Sequence, residues 1–142
     1  MTSLSEPVSL WFGINPVPAS RPRHASRGSG KKAIVTSYYV GKYADYRKEF
    51  PFVRKIGLAG WGDPLEEPLC LDLEFVVQRP KTTKLLFPKP DIDNYIKAFL
   101  DVCNGYIWVD DHQIVAITAN KRWADVGEDP GTRAMILPWN KF

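Results

Sequence analysis

A chain of 142 residues with 44% hydrophobic and 25% charged residues has the size and balance of one soluble domain with a single core. It contains no apolar run of about 18 residues, which excludes a membrane-spanning helix, and Met1–Glu6 lacks the basic and apolar pattern of a secretory signal. The net charge of +3 hides an asymmetry: residues 1–60 carry ten Lys and Arg against three acids, and residues 61–142 carry nine against thirteen, a split that suits a polyanionic partner.

In chain order, Val8–Ile14 is apolar, rich in β-formers and stopped by Asn15-Pro16, so it predicts a first strand. From Asn15 to Thr36 the composition turns to Pro, Ser, Gly, Arg and Lys with little periodicity, which predicts a mobile basic arm or loop carrying Arg21, Arg23, His24, Arg27, Lys31 and Lys32. Val40, Tyr43, Tyr46, Phe50 and Val53 then recur at helical spacing, with Pro51 predicting a kink or break near Phe50. Gly57, Gly60, Gly62 and the prolines at 64 and 68 mark a loop.

Leu69, Leu71, Leu73, Phe75 and Val77 alternate with Cys70, Asp72, Glu74 and Val76, the period of a strand. A basic, proline-interrupted loop follows (Arg79, Lys81, Lys84, Lys89). The segment Ile92–Cys103 then sets Tyr95, Ile96, Phe99, Leu100 and Cys103 along one helical stripe, ended by Asn104-Gly105. Further strands are expected near Gln113–Trp123 and Arg133–Pro138, joined by a turn over Asp125–Gly131. The expected fold is α+β: one domain over residues 1–142, with a small mixed sheet of about four strands and two main helices in β-α-β-α-β-β order, and the basic loop at about 15–36. Cys70 and Cys103 have no CxxC or His-rich neighbourhood and read as free thiols of a reducing, cytoplasmic compartment.

Five aspartates fall within 21 residues: Asp91, Asp93, Asp101, Asp110 and Asp111. Asp91 and Asp93 open the second helix, where a carboxylate suits the positive end of the helix dipole. Asn104 to Asp110, if extended, spans up to roughly 23 Å, enough to carry Asp110-Asp111 back to the level of Asp91 and Asp93. Asp101 lies too far down the helix to join them. Carboxylates drawn from two elements form a hard oxygen site suited to Mg²⁺ or Mn²⁺ and a phosphate. Lys97, one turn from Asp93, can offset charge developing on that phosphate or simply pair with Asp93. Asp72 or Glu74, on the polar face of their strand, are further candidate ligands.

Pro90-Asp91-Ile92-Asp93-Asn94-Tyr95-Ile96-Lys97-Ala98-Phe99-Leu100-Asp101 followed by Gly105-Tyr106-Ile107-Trp108-Val109-Asp110-Asp111-His112-Gln113-Ile114-Val115 closely resembles the RusA family of Holliday junction resolvases. Lys121-Arg122 matches the basic end of the next strand, and Pro18–Arg23 resembles the family's Pro- and Arg-rich segment after its first strand. The resemblance implies a phage- or prophage-type, Mg²⁺-dependent endodeoxyribonuclease (Mn²⁺ able to substitute). It would work as a homodimer on branched, four-way-junction DNA in recombination and repair, leaving a 5′-phosphate. By the same resemblance Asp91, Asp93 and Asp111 bind the metal, with Asp110 as a further candidate, and Lys97 is catalytic. Arg21, Arg23, Arg27, Lys31, Lys32, Lys121 and Arg122 are the expected DNA contacts. Two alternatives stay open: a metal nuclease preferring flaps, forks or duplex, and a DNA-binding module without catalysis.

Overall fold

A computed structural model of the chain describes residues 3–30 and 33–140, with the backbone alone for 34–37. Five-residue β1 (Val8–Phe12) leads through an extended stem into a hairpin of β2 (Arg23–Arg27) and β3 (Ile34–Tyr38), then into α1 (Gly41–Gly57). β4 (Leu69–Val77), α2 (Ile92–Cys103), β5 (Ile114–Trp123) and β6 (Gly131–Pro138) complete the domain. The four-stranded sheet has the order β1-β6-β4-β5, with β4 antiparallel to β6 and parallel to β5.

The alternation read in β4 is the reason this strand is central. Leu69, Leu71, Leu73, Phe75 and Val77 are buried towards the helices, whereas Asp72 and Glu74 face the other way, where Asn120, Arg133 and Met135 are their neighbours. Both helices lie on one face of the sheet. Phe12 of β1 stacks on Phe50 of α1 at 5.4 Å and meets Phe99 of α2 edge-on at 5.5 Å, joining the three elements in one aromatic core. Burying each ring contributes about 1.5–3 kcal/mol. α2 forms because Tyr95, Ala98, Phe99, Val102 and Cys103 fall on its buried stripe, and Gly105 takes φ 81° just past its end.

Two expectations are corrected. The basic segment is not a structureless loop from 15 to 36: residues 23–27 and 34–38 pair antiparallel, with Gly28 and Gly30 at positive φ in the turn between them. Nor does α1 break at Pro51, for it continues to Gly57. Pro51 is exposed, so the Arg47 carbonyl it leaves unbonded faces water. Beyond it, Arg54 donates to the Val102 carbonyl at 2.7 Å and covers the Tyr106 ring, which holds the last turn of α1 against the end of α2. Gly57 closes this helix because a Cβ there would stand 2.8 Å from the Phe12 ring and 2.9 Å from the Trp11 carbonyl.

Candidate active site

The loop that delivers Asp91 is fastened by the last residues of β5. Lys121 donates from Nζ to the Pro90 carbonyl at 2.6 Å and lies over the Phe87 ring, while Trp123 Nε1 donates to the Leu85 carbonyl at 2.9 Å. Lys121, expected as a DNA contact, is thus occupied in setting the entry to α2. Asp91 is the N-cap residue, and its carbonyl accepts the Asn94 N–H at 3.1 Å, but its carboxylate makes no capping bond. Asp93, in the first turn, is exposed. The positive end of the helix dipole favours both charges without consuming their oxygens.

Further along α2, Lys97 pairs with Asp101 at 3.5 Å, not with Asp93. Asp101 also accepts from the Tyr43 hydroxyl at 3.2 Å, and Arg47 donates to that hydroxyl at 3.1 Å while lying over the Tyr39 and Tyr43 rings. Burial is the main cause that raises the Tyr43 pKa above its ordinary value, keeping the hydroxyl a donor. The basic stem joins this group because the Ala19 N–H donates to the Asn94 carbonyl at 2.9 Å. Arg21, Tyr39, Tyr43, Lys97 and Asp101 consequently share a cleft of about 300 Å³. Asp101, read as a bystander, is the residue that holds Lys97. Tyr43 and Arg47 were not singled out as site residues; their i, i+4 spacing on a basic helix was the available signal.

Asp110 and Asp111 are separated by what the backbone asks of each. Asp110 caps the short 3-10 turn Asp111–Gln113: its carboxylate accepts the Asp111 N–H at 2.8 Å and pairs with His112 Nδ1 at 2.8 Å. The hydrogen bond from His112 is the main cause holding its carboxyl below the usual range. Gln113 accepts the Asp110 N–H and donates to the carbonyls of Leu65 and Glu67 at 2.8 and 2.9 Å, clamping the turn to the chain before β4. Among the described residues the carboxylates of Asp91, Asp93 and Asp111 have neither a hydrogen-bond nor an ion-pair partner.

The chain does not run back along α2 as expected. Residues 104–109 close on themselves: Trp108 Nε1 donates to Asn104 Oδ1 at 2.6 Å, and the Gly105 N–H to the Trp108 carbonyl at 2.7 Å. Leu65 then brackets the segment through its N–H to Ile107 and its carbonyl from Val109. Because α2 runs against the direction of β4 and β5, Asp91 and Asp93 stand at one end of the sheet and Asp111 at the other. A 12-residue helix, roughly 18 Å at 1.5 Å per residue, lies between them. Among the described residues, no three carboxylate, imidazole or thiol groups are gathered around one ion position. The donor chemistry fits a hard divalent cation, but one copy of the chain brings together only Asp91 and Asp93.

The remaining basic residues divide. Arg23 and Arg27 are exposed on β2, and Lys31 and Lys32 lie outside the described residues. Arg122 holds Glu128 with both branches of its guanidinium at 2.6 and 2.7 Å and also meets Glu74 at 3.5 Å. That pairing pushes the Glu128 pKa down to about 2. Glu74 is thereby occupied on the sheet face opposite the helices, away from Asp91 and Asp93.

Residues 13–136 match the family model of endodeoxyribonuclease RusA. A 48-residue stretch is 40% identical to an uncharacterized protein, YqaN, of Bacillus subtilis (strain 168), covering 34% of this chain. The chain spans about a third (32%) of that relative's length.

Proposed function

This chain belongs to the RusA family of endodeoxyribonucleases, and from that premise we propose a Mg²⁺- or Mn²⁺-dependent nuclease that cuts four-way DNA junctions as a homodimer. The observation carrying the reading is the sorting of the acids. Asp101, Asp110, Glu74 and Glu128 are each bound within the fold, whereas Asp91, Asp93 and Asp111 are left with nothing to neutralise them among the described residues. Asp91 and Asp93 of one subunit with Asp111 of the other make the ligand set. When bound, a divalent ion supplies Lewis acidity at the scissile phosphate.

The chain's own residues orient the reaction. Lys97, held by Asp101, faces the same cleft as Arg21 and offsets charge on the non-bridging oxygens as water attacks phosphorus. The bond to O3′ breaks, leaving a 5′-phosphate and a 3′-hydroxyl. Exposed Arg23 and Arg27 on the hairpin supply phosphate contacts that position the junction without reading its sequence. A two-fold dimer places two such sites for paired nicks in symmetric strands, a step that serves recombination and repair.

Nicking of a mobile four-way junction by mixed variants tests this reading. Asp93→Asn and Asp111→Asn are each expected to lose at least about a thousandfold in rate, near the ~4 kcal/mol of a lost catalytic group, with junction binding retained. Mixed in equal amounts and allowed to exchange, half the dimers carry one intact site, so roughly a quarter of wild-type nicking returns if subunits pair at random. Mixtures as inactive as their components would place each site within one chain and sink the shared-site reading. Wild type that binds junctions without cutting them in Mg²⁺ or Mn²⁺ would favour a DNA-binding module, the reading suited by the separation of the aspartates within one copy.

A further inference from the structure

β5 ends the sheet, and its outer backbone edge has no strand beside it among the described residues. From Ile114 to Asn120 the strand carries no charge and no proline, the two devices that usually keep an edge from pairing. Val115 is 50% and Ile117 39% exposed. Apolar side chains also stand out at both ends. Val109 lies just before the first residues of β5, and Leu86 (88% exposed) and Phe87 (58%) belong to the loop tied to Lys121 and Trp123 at its last ones.

We infer that a second copy of this chain docks on the β5 edge, β5 against β5 in antiparallel pairing, to give one continuous eight-stranded sheet across a two-fold axis near Ile117. A two-fold contact must be self-complementary, so each end of the strand meets the other end of its partner. Here an apolar group at one end (Val109, Val115) meets an apolar group at the other (Leu86, Phe87). The charges complement each other as well, with Asp110-Asp111 brought towards Lys121 of the partner subunit. Lys121 holds Pro90, the residue before Asp91. The same pairing therefore carries Asp111 of each copy towards Asp91 and Asp93 of the other, closing the separation that one chain leaves open. Strand addition supplies affinity through main-chain hydrogen bonds, and the end groups set the register. The inference deepens the dimeric nuclease reading by naming the surface that completes its site.

The test uses the full chain without DNA or metal, so its result is separable from the nuclease reading. Sedimentation equilibrium at micromolar to tens of micromolar protein should show wild type as a dimer. Ile117→Lys sets two like charges beside the axis and should raise the dissociation constant at least a hundredfold, with an unchanged far-UV circular dichroism spectrum. Ser9→Lys, on the β1 edge at the far side of the sheet, should leave the dimer intact. As a measurement independent of that variant's folding, Thr118→Cys with a short bis-maleimide should give covalent dimer above the wild-type background, and Ser9→Cys should not. A monomeric wild type, a dimeric and folded Ile117→Lys, or cross-linking through Ser9→Cys but not Thr118→Cys would overturn the interface. A dimer that behaves as expected yet cuts no junction supports the interface and removes only the nuclease reading.

Discussion

Asp101 shows how a side chain outside a metal site can govern one that acts in it. Its carboxylate receives Lys97 and the Tyr43 hydroxyl together, and Tyr43 is steadied in turn by Arg47. Asp101→Asn is expected to slow junction cleavage about tenfold, a loss of ~1.4 kcal/mol, with little change in junction affinity. Tyr43→Phe should act the same way and less strongly. A fall in binding equal to the fall in rate would assign both residues to DNA contact instead. Asp110 and Glu128 have folded pKa values held below their unfolded ones, Glu128 at about 2. The stability they contribute is present above the ordinary carboxylate range and is lost as pH falls through the folded values. Thermal melts of wild type and Glu128→Gln should therefore differ at pH 6 and converge as pH drops from about 4.5 to 2, the ordinary and folded values for this carboxyl. A gap that widens on acidification would contradict the Arg122 pairing as its source.

At the scale of elements, legibility followed burial. β4 and α2 were readable because each buries one face, so period two and the 3.6-residue stripe are written in Leu69–Val77 and Tyr95–Cys103. β2 was not readable because its five residues are all exposed, and a strand with no buried face leaves no alternation. Pro51 misled for a related reason: its backbone cost is real, but packing of Phe50 and the Arg54 contacts outweigh it. The site split in the same way. Asp91, Asp93 and Lys97 could be placed because helix geometry is rigid, whereas Asp111 could not. The length of a linker bounds only how far a chain can reach, and Asn104–Val109 spends that length on a closed turn. Gln113→Ala should strand the carbonyls of Leu65 and Glu67 and destabilise the domain by about 1–3 kcal/mol. Denaturant unfolding checks that value, and a change below 0.5 kcal/mol on this scale would remove the clamp from the account. Gly57→Ala should cost about 1–3 kcal/mol by overpacking against Phe12.

For the whole molecule, dimerisation and metal binding become one equilibrium if Asp111 of one copy completes the partner's site. An ion that binds only the dimer tightens it. Millimolar Mg²⁺ should lower the wild-type dissociation constant by about tenfold or more, equivalent to ~1.4 kcal/mol, and leave Asp93→Asn unchanged in sedimentation. Equal responses from the two proteins would detach the ion from the interface. Junction binding, carried by Arg21, Arg23 and Arg27, should weaken steeply with added salt.

The direction of α2 against β5 has a further meaning for a cell that makes this protein. With Asp91 and Asp93 at one pole of the sheet and Asp111 at the other, a solitary copy is a blank cartridge that can meet chromosomal DNA without scarring it. Below the dissociation constant, cutting should rise with the square of protein concentration, so doubling a scarce supply quadruples the nicks. The helix that parts the acids thus acts as a dose threshold, set by how many copies are present before the first strand is opened.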